Sequence, residues 1–171
     1  MSHLMPRQKT PDLEVKMLTG GTWRLFEQHP HLFTMIVFYR GAHCPICKTY
    51  LKDLERHLEE FENRGIEVIA VSGDDKDRAH ESKTGWELNK LTIGYDQSIA
   101  SMRGWGLYVS NSIKESEPTQ FGEPGVFLIL PTGELYYAVI NSMPFTRPSF
   151  KDLLSAVDWV AENKYPARGE A

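Results

Sequence analysis

The sequence predicts an α/β protein built on a mixed β-sheet. Strand-like and helix-like segments alternate through the first half of the chain. The second half holds two apolar segments around a turn, followed by one more helical pattern. A third observation is the run FTMIVFY at 33–39, which is apolar on both faces, as in a strand that is covered on both sides. Alternation favours parallel strands and a hairpin adds antiparallel ones, so we expect a mixed sheet flanked by helices on both faces.

The first elements are a strand, a turn, a second strand and a long helix. LEVKML at 13–18 alternates apolar and polar residues, and the turn sequence TGGT follows it. The run at 33–39 is expected to be the centre of the sheet. The helix after it has apolar residues at alternating steps of four and three, and Gly65 supplies its stop. These apolar positions are Cys47, Leu51, Leu54, Leu58 and Phe61.

The remaining elements continue the alternation and then close the fold. They are a strand at 66–72, a helix at 74–88 started by Asp74 or Asp75, a strand at 91–96, a short helix at 97–107, and strands at 125–130 and 135–140 around the turn PTGE. The final helix carries Phe150, Leu153, Leu154, Val157, Val160 and Ala161 on one face. We find no linker or repeat, so residues 1–171 are expected to form one domain.

The composition limits the function classes. With 171 residues, 41% of them hydrophobic, the chain can bury a core without disulfides or a metal. The net charge of −4 argues against a nucleic-acid-binding surface. The sequence has no apolar run of about 20 residues, which excludes a membrane-spanning helix. The N-terminal segment is too charged for a signal peptide, so we expect a cytoplasmic protein. In that reducing compartment a cysteine pair is more often catalytic, redox-sensing or metal-binding than structural.

The two cysteines, Cys44 and Cys47, stand where the apolar strand ends and the long helix begins. Pro45 suits the first helical position, which puts Cys44 at the N-cap, where free N–H groups favour a thiolate. We therefore expect an ionised, exposed nucleophile at Cys44. The helical stripe turns Cys47 inward, one turn away and close enough for a disulfide. This is the arrangement that dithiol redox chemistry needs.

Two other interpretations of the cysteines stay open. Both could be small core residues in a reduced protein. His43, Cys44 and Cys47 could also supply zinc ligands, but the chain offers no second CxxC or HxxxH pair to complete such a site. We expect no metal and no cofactor.

Several segments together resemble a known family. They are IVFYRGAHCPIC, IEVIAVSGDD, LTIGYDQSIASMRGWGLY, EPGVFLILPTGELYYAVI and the tail SMPFTRPSFKDLLSAVDWVAENKYPARG. Over most of its length the chain is similar to the alkyl hydroperoxide reductase and thiol-specific antioxidant (AhpC/TSA) family of peroxiredoxin-like proteins. The resemblance implies a thioredoxin-like fold. It also implies a cis proline against the cysteines, and Pro124 matches that position.

The sequence departs from the family at the peroxide-activating residues. Peroxiredoxins carry Pro-x-x-x-Thr/Ser-x-x-Cys, and the matching positions are Val37 and Gly41. The usual second arginine is replaced by Pro124.

The remaining candidates surround the cysteines. We assign a catalytic role to Arg40, which could stabilise the thiolate and a departing oxygen. Substrate-binding positions are Gly41, His43, Pro124 and Arg147. His43 is also a potential proton donor, although an exposed loop histidine is its simpler description.

We therefore predict a thiol-dependent antioxidant oxidoreductase that reduces peroxides through Cys44, with Cys47 closing an intramolecular disulfide. An external dithiol such as a thioredoxin or glutaredoxin would restore both thiols. One alternative is a thioredoxin-like protein-disulfide oxidoreductase, and another is a non-enzymatic redox sensor or binding module. The oligomeric state is open, with a homodimer among the options.

Overall fold

The computed structural model describes residues 4–171, and its main feature is a seven-stranded sheet. The strands are β1 (Glu14–Met17), β2 (Thr22–Arg24), β3 (Phe33–Phe38), β4 (Ile66–Val71), β5 (Thr92–Tyr95), β6 (Val109–Asn111), β7 (Gln120–Gly122), β8 (Gly125–Ile129) and β9 (Leu135–Ile140). The helices are α1 (Pro45–Asn63), α2 (Lys76–Gly85), α3 (Ile99–Gly104) and α4 (Phe150–Asn163). In the part of the chain that is described, no helix is long and apolar enough to cross a bilayer.

The main sheet is mixed, as predicted. Its strand order is β2-β1-β5-β4-β3-β8-β9, and β6 and β7 form a separate pair. Strands β3, β4 and β5 are parallel, whereas β8, β9, β1 and β2 join antiparallel. Every residue of β3 is buried. The middle position belongs to β4 rather than to β3, because β4 has three strands on each side, whereas β3 has four on one side and two on the other.

Apolar layers cover both faces of the sheet, which confirms the expected architecture. On one face, residues of α1 and α4 pack against alternate residues of β3, including Met35 and Val37. On the other face, Met102 of α3 and the neighbouring Trp105 pack against Ile36 and its partners. This division follows from the alternation of side chains along a strand.

Helix α1 is the element that positions the cysteines. Its buried residues are the predicted stripe, Cys47, Leu51, Leu54, Leu58 and Phe61. Each large apolar side chain buried in this way contributes roughly 1.5–3 kcal/mol to folding. The helix ends at Asn63, and the chain turns away at Gly65, whose φ of +76° a residue with a side chain rarely adopts. A Cβ there would lie 2.6 Å from Cβ of His31, so glycine is also required by space.

Two details of the helices refine the prediction. Of the two residues expected to start α2, Asp75 caps the helix by accepting the Arg78 N–H, while Asp74 is buried next to the loop between β3 and α1. In α4, Val160 is only half-buried and Ala161 is exposed, because the helix reaches beyond the edge of the apolar layer.

The sequence did not predict strands β6 and β7. Each has three residues, too few to display a period of two. They nevertheless bring Phe121 and Ser110 to the carboxyl end of β3, where the cysteines lie.

Candidate active site

The loop between β3 and α1 makes a tight bend before the first cysteine. The Cys44 N–H donates to the carbonyl of Gly41 at 3.1 Å. Gly41 has a φ of +140°, and a Cβ on it would lie 2.6 Å from Oδ1 of Asp74. The backbone therefore approaches the Asp74 carboxylate as closely as only glycine allows.

Cys44 is the N-cap of α1, as its sequence context predicts. Its sulfur accepts the backbone N–H of Cys47 at 3.2 Å. The hydrogen bond from the Cys47 side chain is the main cause that lowers the pKa of Cys44 to about 6. The backbone N–H and then the Arg147 charge lower it further, against a desolvation penalty. At neutral pH Cys44 is therefore mostly a thiolate.

The expectation that Cys44 is exposed is wrong. Its side chain is 1% exposed and belongs to the apolar layer around α1. The reason is the position of Cys44 beyond the buried strand β3, in the apolar cluster that also contains Val37 and Tyr39. Both cysteines are free thiols in this structure.

Cys47 lies still deeper and has the opposite character. It is fully buried, and desolvation together with the hydrogen bond to Cys44 raises its pKa well above the ordinary value. The pair therefore consists of one thiolate and one thiol that donates to it.

Arg147 reaches this pair from the loop before α4. Its Nη2 donates to Sγ of Cys47 at 3.4 Å. Its Nε donates to the Pro144 carbonyl at 2.7 Å, and the guanidinium lies 4.5 Å from the centre of the Tyr50 ring. Of the predicted substrate-binding residues, it is the one found in contact with a cysteine sulfur.

Arg40 takes part less directly than predicted. Its Nε lies 3.1 Å from Oε2 of Glu123, and its Nη2 donates to Oε1 at 3.2 Å. The Glu123 side chain is 3% exposed and also accepts the Ser110 hydroxyl at 2.7 Å. Arg40 lies over the Phe121 ring as well. Since its charge is paired with a carboxylate, its effect on the pKa of Cys44 is smaller than that of Arg147.

His43 is neither an exposed histidine nor a suitable proton donor at neutral pH. Its ring packs on Phe121 at 4.7 Å between centroids, and no described residue hydrogen-bonds to its buried ring nitrogens. Desolvation, followed by the Arg40 charge, lowers its pKa to about 4. Residues 4–171 contain no group of three or more His, Cys, Asp or Glu side chains arranged to hold a metal.

Pro124 occupies the predicted place before β8, but the expected cis bond is wrong. Within the described residues every peptide bond is trans. The Glu123 N–H donates to the Tyr108 carbonyl, and the Pro124 carbonyl accepts the Asn141 N–H. These bonds hold the backbone around the proline, where trans is already the isomer of lower energy by about 0.5–1 kcal/mol.

Sequence reasoning missed Asp74 as part of the site. Its carboxylate is 3% exposed, and Oδ2 accepts the Ala42 N–H at 2.9 Å, which fixes the loop that carries Cys44. Burial raises its pKa to about 6. An acidic pair after a strand indicated only a helix start, and Asp75 does fill that position.

A surface groove of about 480 Å³ opens beside Arg147. It is lined by Ile46, Thr49, Tyr50, Asp53, Arg56, Pro144, Phe145, Thr146 and Arg147. The side chains of Ile46 and Phe145 are 40% and 53% exposed, so apolar surface lies next to the cysteine-bearing turn.

Comparison with known proteins identifies the family. The AhpC/TSA family model matches residues 6–138. Alkyl hydroperoxide reductase C of Amphibacillus xylanus is 25% identical over 133 residues, 77% of this chain and 69% of that protein. Peroxiredoxin 1 of Brugia malayi is 23% identical over 150 residues, 84% of this chain and 64% of that protein. This chain thus spans only 69% and 64% of these relatives' lengths.

A crystal structure of a peroxiredoxin 6 mutant from Arenicola marina superposes with a TM-score of 0.78 at 17% identity. The match covers 95% of this chain and 76% of that one. It confirms the predicted thioredoxin-like fold.

Proposed function

This chain belongs to the AhpC/TSA family, and we propose that it is a thiol-dependent peroxidase in which Cys44 attacks the peroxide and Cys47 resolves the product. The observation that carries the proposal is the hydrogen bond that the Cys47 backbone N–H donates to the Cys44 sulfur at 3.2 Å, at the N-terminus of α1. Such donors favour the thiolate, which is the nucleophilic form.

The proposed first step oxidises Cys44. The thiolate attacks one oxygen of the peroxide, the O–O bond breaks, and the departing oxygen takes a proton to leave as water or an alcohol. Cys44 becomes a sulfenic acid. In the second step the Cys47 sulfur attacks the Cys44 sulfur, and the displaced hydroxide leaves as water with the proton that Cys47 gives up. The product is a Cys44–Cys47 disulfide.

An external dithiol would close the cycle. It attacks the disulfide, becomes oxidised itself and returns both cysteines to thiols. We propose a thioredoxin or glutaredoxin as this partner. We also propose that residues 1–171 act as one domain in the reducing cytosol, with a homodimer as the assembly to test first.

A second candidate function is protein-disulfide exchange. It is favoured by Gly41 and Pro124, because the hydroxyl and the arginine that serve peroxide in the family are missing at these positions. The same cysteines would act, and only the oxidant would differ.

Mass analysis of cysteine variants tests the proposal. After one equivalent of hydrogen peroxide, the reduced wild type should lose two hydrogens as its disulfide forms. Cys47→Ser should gain one oxygen that a sulfenic-acid probe captures, and Cys44→Ser should stay unmodified. A wild type that ignores peroxide but reduces the disulfides of insulin would establish the second candidate instead.

A further inference from the structure

The two arginines near the cysteines differ in what balances their charge. Arg40 is paired with the buried carboxylate of Glu123. Arg147 lies within 4 Å of no carboxylate among the described residues, and its buried Nη1 has no hydrogen-bond partner there. Arg147 is therefore the cation at this site whose charge no neighbouring carboxylate offsets.

Arg147 is also held firmly in one position. Its Nε is bound to the Pro144 carbonyl, and its guanidinium is stacked on Tyr50. The Tyr50 hydroxyl in turn donates to the Pro148 carbonyl at 2.6 Å, which ties the ring to the loop that carries Arg147. Because a hydrogen bond and an aromatic ring already hold the guanidinium, it loses little entropy when it makes its remaining contact.

That remaining contact is with Cys47 rather than with Cys44. The titratable or charged groups that face Cys47 are Cys44 on its own helix, Tyr39 and the backbone of Arg40 at the end of β3, and Arg147. Desolvation and Cys44 disfavour a negative charge on Cys47. The Arg147 charge and the Arg40 backbone favour it.

We propose that Arg147 is a catalytic residue of the resolving step, where its guanidinium stabilises the Cys47 thiolate as this sulfur attacks the oxidised Cys44. The inference rests on the proposed function and assigns an activating group to each of the two cysteines. Cys44 is activated mainly by Cys47, with a smaller contribution from the Arg147 charge, and Cys47 is activated in turn by Arg147. The step itself is the one written above, with the sulfur–sulfur bond formed and water released.

Stopped-flow kinetics at pH 8 test the proposal, since Cys44 is then ionised with or without Arg147. Peroxide-dependent oxidation of Cys44 should stay within about twofold in Arg147→Gln, whereas the following first-order closure of the disulfide should slow about tenfold, the effect of one pKa unit. Arg147→Lys should recover part of the loss. Arg103→Gln, which removes an exposed arginine of α3, is the matched control and should leave both phases unchanged.

The pH profile separates activation from a merely structural role. If Arg147 acts through the Cys47 charge, closure in Arg147→Gln should approach the wild-type rate as the pH rises. A loss that is equal at every pH, or closure as fast as in the wild type, would overturn the proposal.

A second measurement does not depend on peroxide. In a Cys44→Ala background, the Cβ chemical shift of Cys47 can be titrated by NMR. The pKa of Cys47 should be about one unit higher when Arg147 is replaced by Gln. An unchanged Cys47 pKa would refute the role of Arg147, whereas failure of the wild type to react with peroxide would refute only the proposed peroxidase activity.

Discussion

Single residues decide which of the two sulfurs has the lowered pKa. The pattern CPxC predicts the N-cap position of Cys44 and the inward position of Cys47, because both follow from the strand end, the proline and the helical stripe. The covering of Cys44 and the contacts of Asp74 and Glu123 could not be predicted. Asp74 accepts a hydrogen bond from Ala42, 32 residues away in the sequence, and Glu123 accepts one from Arg40, 83 residues away. No local sequence pattern marks such pairs.

The pKa of Cys44 should depend on the Cys47 side chain. In the wild type, the rate of Cys44 alkylation by iodoacetamide should follow a titration centred near pH 6. Cys47→Ala removes the donor that lowers this pKa most, so the midpoint should rise by about one pH unit. Cys47→Ser keeps a donor and serves as the control. Equal midpoints in the Ala and Ser variants would contradict this explanation.

Asp74 should weaken the fold as the pH rises. Burial raises its pKa from 3.8 to about 6, so the folded state disfavours the carboxylate, and stability is lost as the pH rises from 4 to 7. Asp74→Asn keeps an oxygen for the Ala42 N–H. Urea titration gives the unfolding free energy of both proteins. The value for Asp74→Asn minus that for the wild type should be about 2 kcal/mol larger at pH 7 than at pH 4. A difference that is constant over this range would show that the carboxylate carries no such penalty.

At the level of elements, the long periodic segments are predictable and the short ones are not. Helix α1 shows five buried positions in one stripe, and β3 is six buried residues in a row. Strands β6 and β7 have three residues each, and they form through pairing with each other, which a single sequence does not reveal.

The bend into α1 should tolerate no side chain at Gly41. Gly41→Ala combines a φ of +140° with a Cβ placed 2.6 Å from the Asp74 carboxylate. We expect a loss of about 1–3 kcal/mol in stability and slower alkylation of Cys44. Gly104→Ala is the control, because a Cβ there has open space. Similar stability for the two variants would show that the close approach of Asp74 is not required.

For the molecule as a whole, the family and the fold follow from the sequence. Strand and helix alternation predicts the mixed sheet, and the motifs around the cysteines indicate the family before any geometry is known. The trans bond before Pro124 was not predictable from the motif, since its isomer is set by the surrounding backbone hydrogen bonds.

The thiolate should make the stability of the reduced protein depend on pH. The folded-state pKa of Cys44 is lowered from 9.0 to about 6, so its contribution is present above pH 9 and is lost as the pH falls towards 6. The oxidised protein lacks this group. Between pH 8 and pH 6, the unfolding free energy of the reduced form should therefore fall by about 2 kcal/mol relative to that of the disulfide form. Parallel urea titrations of both forms measure this change. If the difference in unfolding free energy between the two forms is the same at pH 8 and pH 6, the pKa of the Cys44 thiol is not lowered by folding.

The most direct test of the central claim is the rate at which the reduced protein reacts with hydrogen peroxide. Stopped-flow tryptophan fluorescence gives this rate, and mass analysis identifies the disulfide product. We predict a second-order rate constant far above that of a free thiolate, abolished in Cys44→Ser. A rate no higher than that of a free thiolate would contradict peroxide activation at this site and would favour disulfide exchange as the chemistry of Cys44 and Cys47.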